Sequence, residues 1–170
     1  TYVIKRKIMH DTRGLPVTTT SVSAIAQLDK TITEYLALGR HTGVHLKATF
    51  AEDPEMALAH IVKGYFFQLF YKPALTQRAA ACLASADASM KDRGATDREI
   101  LHRKALAAWI KGNIEQATHA WETILSKFPL DVLALRLSHF THFYDGNAAE
   151  MRASLERVLP AWTPDIPGYG

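Results

Sequence analysis

His139 and His142 lie three residues apart, on one face of any helix that holds them, and two imidazoles at that spacing can share a metal ion. A zinc site wants three or four protein ligands, and no Cys or Glu is positioned along the chain to complete this pair, so no metal is expected. His139 is expected half-buried, with a backbone partner. Glu99 and His102 repeat the spacing with a carboxylate, and an imidazole held by a carboxylate has the form of a general base. The bland role of Glu99 is stronger: Thr96-x-x-Glu99 is a capping box, in which Glu99 bonds back to the Thr96 backbone N–H. Cys82, the only cysteine, sits among alanines with no basic residue close in sequence, which predicts a buried, inert thiol and excludes an internal disulfide. Val62-Lys63-Gly64 lacks the glycines of a phosphate cradle, and neither a G-x-S-x-G elbow nor a dinucleotide fingerprint is present. No catalytic set is therefore assigned, no cofactor is expected, and the sequence leaves open whether the protein is an enzyme.

The elements that must position these groups are helical. Residues 1–20 read as an irregular arm, with Gly14-Leu15-Pro16 forcing turn or extended geometry. Apolar periodicity predicts a helix from Ser21 to about Leu38 with Ile25, Leu28, Ile32, Tyr35 and Leu36 on one face, then a short helix near 44–51. Asp53-Pro54 predicts a helix start, Asp as N-cap and Pro in the first turn, with the helix running to about Tyr71. An alanine-rich helix near 74–91 follows.

The C-terminal half contains a repeat. Gly112-Asn113 recurs as Gly146-Asn147 at an offset of 34 residues, the period of the tetratricopeptide unit. Each Gly suits a left-handed helix end and each Asn can cap the next helix, with Gln116 and Glu150 three residues on. Ala117, Trp121 and Pro129 keep the spacing of the small residue, aromatic and closing proline; Met151, Leu155 and Pro160 match less well. The expected architecture is all-α, a tetratricopeptide-like superhelix of stacked antiparallel helix pairs over residues 21–170, clearest in units 98–131 and 132–165. Laid on this register, a concave surface would carry Glu99, His102, Leu106 and Trp109, then Leu133, Arg136, Phe140 and Phe143, with Ile61, Tyr65 and Gln68 from the preceding helix. The groove or ligand candidates are Tyr65, Glu99, His102, Trp109, Arg136, His139, Phe140 and Phe143.

Several segments in order resemble one family: Gly14-Leu15-Pro16-Val17-Thr18-Thr19; Glu52-Asp53-Pro54 with Met56, His60 and Gly64; Thr96-Asp97-Arg98-Glu99 with His102; Gly112-Asn113 with Ala117, Trp121 and Leu125; Asp131 to Leu135 with Ser138-His139; and Trp162-Thr163-Pro164-Asp165-Ile166-Pro167. Together these resemble the tetratricopeptide repeat protein 38 family, whose members are longer. The resemblance implies that the chain is the N-terminal part of such a protein, and it carries the fold more than an activity.

Twenty Lys and Arg against 17 Asp and Glu leave a net charge of +3, much of it in Lys5-Arg6-Lys7, too little for a nucleic-acid face. No apolar stretch approaches a membrane span, and no apolar run follows the basic N-terminal residues as in a secretory signal, so a cytoplasmic location is expected by elimination. Two functions fit. One is a scaffold that binds a protein segment, binds the remainder of its own protein, or self-associates, through its groove and an exposed terminal face formed by Leu155, Val158 and Trp162. The other is part of an enzyme or small-ligand-binding protein whose site uses histidines from several repeats.

Overall fold

The computed structural model describes residues 7–169. Lys5 and Arg6 lie outside that range. The arm is not irregular: β1 (Ile8–His10) and β2 (Pro16–Thr18) form an antiparallel hairpin with Met9 opposite Val17. Asp11 organises its turn by accepting at Oδ1 from the Arg13 and Leu15 N–H groups, both at 2.9 Å, while Gly14 takes φ +74°. Three-residue strands are too short for an alternating pattern to register in the sequence.

Eight helices follow among the described residues: α1 (Val22–Leu36), α2 (Thr42–Glu52), α3 (Ala57–Leu69), α4 (Pro73–Arg93), α5 (Asp97–Ile110), α6 (Ile114–Lys127), α7 (Val132–Tyr144) and α8 (Ala148–Val158), then a 3₁₀ turn at Leu159–Ala161. They pack as adjacent pairs, α1 with α2, α3 with α4, α5 with α6 and α7 with α8, while α3 against α5 and α6 against α7 join neighbouring pairs. The helix predicted from Pro54 begins three residues later. Asp53 does not cap it: its Oδ1 accepts the Glu55 N–H at 3.2 Å and closes a turn over Pro54, while the same carboxylate binds Thr19 Oγ1 (2.6 Å) and Arg93 Nη1 (2.9 and 3.0 Å), and the N-cap falls at Met56.

The first helix of every pair ends in the same way. Leu38, Tyr71, Gly112 and Gly146 each follow a helix by two residues and each has positive φ, at 55°, 50°, 77° and 66°. Their N–H groups bond back three residues, to the carbonyls of Tyr35, Gln68, Trp109 and Phe143. This left-handed cap satisfies carbonyls that the helix end would leave free. Only the last two pairs use glycine for it. Ser21, Thr96, Asn113, Asp131 and Asn147 cap helix N-termini through their side chains, and the Thr96–Glu99 capping box is present in full.

The core centres on Trp121, fully buried among Tyr65, Trp109, Ile124, Leu133 and Leu137. Gly64 lets α3 approach α5: a Cβ there would stand 2.5 Å from Leu106 Cδ2. The expected open terminal face is largely covered. Val158 is buried, and Trp162 is half-buried with its Nε1 donating to the Pro129 carbonyl at 3.0 Å. The segment after it folds back onto the hairpin, where Arg13 Nε donates to the Pro167 carbonyl at 2.8 Å. Leu155 and Leu159 stay exposed. No helix among the described residues is long and apolar enough to cross a membrane.

Candidate functional site

Two larger constellations and one smaller cluster draw on the predicted residues, and the two larger ones differ in access to solvent. The first is a buried polar hub. His102 and Arg98, on α5, face Asp131, the N-cap of α7: His102 Nε2 lies 2.9 Å from Asp131 Oδ2 and Arg98 Nε donates to the same oxygen at 2.7 Å. Asp131 Oδ1 accepts the Ala134 N–H at 3.0 Å. Burial alone would raise the Asp131 pKa, but the Arg98 and His102 charges and these hydrogen bonds outweigh it and hold the carboxyl well below the usual range. An ionised carboxylate only accepts, so Nε2 carries the proton of that bond. On the other edge of the ring, Nδ1 meets the Tyr65 hydroxyl at 3.0 Å, and that hydroxyl accepts from Trp121 Nε1 at 3.2 Å.

The expected Glu99–His102 pair is therefore not formed. Glu99 points to the hairpin, accepting from Thr18 N (2.9 Å) and Thr18 Oγ1 (2.7 Å), and from Thr96 N (2.8 Å). The carboxylate partner of His102 lies 29 residues along the chain, beyond any helical spacing rule. Tyr65, Glu99 and His102 have no exposed surface and Trp109 almost none, so none of the first three lines an open concave surface. With every face of His102 enclosed, no substrate atom reaches it as it would a general base. The hub joins the hairpin to α3, α5, α6 and α7.

No family model matches the chain, and no solved structure matches it.

His139 and His142 belong to a smaller cluster centred on Glu122, a residue that no motif or spacing in the sequence singles out. Glu122 accepts from Ser138 and Ser154 and from Arg157 Nη2 at 3.0 Å, linking α6, α7 and α8. Burial opposes ionisation of this carboxyl, but these donors prevail and lower its pKa. His142 Nε2 stands 3.5 Å from Glu122 Oε1 without hydrogen-bond geometry, and His139 Nε2 has no partner among the described residues, contrary to the backbone bond expected for it. Burial lowers the His139 pKa. No group of three or more His, Cys, Asp or Glu among the described residues is arranged to hold a metal ion. Cys82 does have cations near it, Lys63 and Arg78, but burial outweighs them and pushes the thiol up, which leaves it protonated and unreactive.

The second constellation is open. The C-terminal ends of α3, α5 and α7 converge with the start of α4 around a groove of about 590 Å³. Gln68, Tyr71, Trp109, Tyr144, Asp145 and Thr76 line it. Of the predicted concave residues, Gln68 and Trp109 reach this groove, Phe140 stacks on Tyr71 beside it (centroids 6.2 Å apart), and Phe143 meets Tyr144 edge to face. Arg136 is exposed farther along α7, next to the Tyr35 hydroxyl, whose pKa burial raises against the pull of that guanidinium. Gln68 is only 8% exposed, yet its Oε1 has no hydrogen-bond partner among the described residues. Around it, Tyr71, Phe143 and Tyr144 are each more than 60% exposed. Tyr71 also holds φ +50°, a conformation that costs a side-chain-bearing residue roughly 1–2 kcal/mol and that the later pairs give to glycine.

Proposed function

We propose that this protein is a tetratricopeptide-like superhelical scaffold, kin to the tetratricopeptide repeat protein 38 family, that binds a protein segment in the groove between Gln68 and Tyr144. The observation that carries the reading is the buried, unpartnered Gln68 acceptor at the floor of an open groove rimmed by exposed aromatic rings. The Gln68 Oε1 atom has no exposed surface in the free protein, so the side chain must turn toward the groove to meet a ligand N–H or O–H, which would then recover the roughly 1–3 kcal/mol that an unpaired buried acceptor costs. Exposed Tyr and Phe rings supply contact area at low entropic cost, as interface anchors do. The strained Tyr71 fits the same reading, since it keeps a ring at the groove where glycine would relieve the backbone. The bound segment offers a donor side chain to Gln68 and an apolar or aromatic side chain to Tyr71, Phe140 and Tyr144. A cytoplasmic location belongs to the same proposal.

A displayed random-peptide library tests it. Selected peptides should share a donor side chain next to an aromatic one, and should lose binding to Gln68→Leu and Tyr144→Ala while both variants keep their melting temperature. Peptides that bind all three proteins equally would refute the assignment of this groove.

A further inference from the structure

A separate groove lies on the other face of α3. Leu46, Lys47 and Phe50 of α2 and Lys63, Phe66 and Phe67 of α3 line a space of about 530 Å³, with the exposed Phe70 also in its lining. It meets a recess of about 240 Å³ at His60, Lys63 and Phe67, into which Arg78 and Cys82 of α4 also face. Four phenylalanines thus form one wall system with three cations at its rim. The Lys63 ammonium stands 5.4 Å from the centre of the Phe50 ring, and the Arg78 guanidinium 4.7 Å from that of Phe67. No Asp or Glu lines either space. Lys47, Lys63 and Arg78 make no ion pair among the described residues. Such a surface is complementary to a molecule that is apolar along its length and anionic at one end.

The floor decides what kind of molecule that is. It is made of the sides of two helices, whose backbone groups are bonded within the helices and offer an extended peptide nothing. A peptide amide buried against this wall would lose water without a partner, whereas an acyl chain has no such groups to satisfy. The volume also falls within the roughly 300–1,000 Å³ of small-molecule sites. We propose that the α2–α3 groove binds a long-chain monocarboxylate, with its tail along Phe50, Phe66 and Phe67 and its carboxylate at Lys63 and Arg78. The site is independent of the peptide groove and stands or falls without it.

Calorimetric titration of the full chain with monomeric dodecanoate, below its micellar concentration and with the carboxylate ionised, tests the assignment. One dodecanoate per chain should bind and raise the melting temperature. Lys63→Met and Arg78→Met, which keep the apolar stems, should each weaken binding about tenfold while leaving the melting temperature of the free protein in place. Dodecyltrimethylammonium, with the same tail and opposite charge, should bind far more weakly. No binding of dodecanoate, equal binding of the cationic amphiphile, or full affinity in the Lys63→Met, Arg78→Met double variant would each overturn the proposal.

Discussion

The hub around His102 and the groove beside Gln68 use the same materials, aromatic rings and polar side chains drawn from neighbouring helix pairs, and reach opposite states. In the hub, the Asp131 carboxylate meets Arg98, His102 and a backbone N–H, the Tyr65 hydroxyl meets Trp121 and His102, and no surface is left to solvent. In the groove, one buried acceptor lacks a partner and the rings stand in water. A polar network satisfied inside the protein specifies the packing of the chain, whereas a polar group left unsatisfied at an opening specifies what comes from outside. A catalytic-looking Asp–His–Tyr arrangement is thus the structural element here, and on the proposed function a solitary glutamine marks the binding surface.

The largest expected effects come from breaking the hub. Asp131→Ala should destabilise the fold by about 3–5 kcal/mol in denaturant titrations, because it removes the close carboxylate partner of the buried Arg98 and leaves that charge only Asp11, at 3.4 Å. The milder Asp131→Asn gives the pH signature. The folded-state pKa is depressed, so the stabilisation by this carboxylate is present above the unfolded value of about 3.9 and fades as pH falls below it. The difference in stability between parent and Asp131→Asn should therefore be widest near neutral pH and shrink below about pH 4. A gap that does not change with pH would mean that Asp131 acts by shape alone. Trp121→Ala should also cost about 3–5 kcal/mol, since the ring is fully buried; a loss under about 1 kcal/mol would remove it from the core.

Smaller effects probe the edge between the two regions. Gly64→Ala pushes a methyl into Leu106, under the hub, and should cost about 1–3 kcal/mol by thermal unfolding. Gln68→Leu should leave stability unchanged or raise it by up to about 1 kcal/mol, because an unpaired acceptor is removed. A clear destabilisation would show that Gln68 is satisfied within the free protein and erase the contrast drawn here. Phe143→Ser, at a ring 68% exposed, should change stability by less than about 0.5 kcal/mol while weakening peptide capture.

The sequence carried the helices well where local signals were complete. Ser21, Thr96, Asn113 and Asn147 announce their helices because an N-cap acts within three residues of itself, and the 34-residue recurrence of Gly-Asn marks the last two pairs. The first two pairs share the same left-handed end but place Leu38 and Tyr71 in it, at irregular offsets, so nothing in the residue types betrayed the equivalence. The candidate site was half legible. Register put Gln68, Trp109, Phe140 and Phe143 near a groove, but it put Tyr65, Glu99 and His102 there too. Periodicity says which residues share a face, not whether another helix covers it.

What the sequence determined by itself was the all-helical character, the caps at Thr96, Asn113 and Asn147, the burial of Trp121 and the absence of an internal disulfide, all of which follow from backbone preferences, side-chain hydrophobicity and composition. Tertiary structure decided the partners: Asp131 rather than Glu99 for His102, the hairpin for Glu99, and nothing for Gln68. Those pairings join residues from 29 to 81 positions apart, and their energies depend on desolvation and on distances that exist only once the helix pairs have packed.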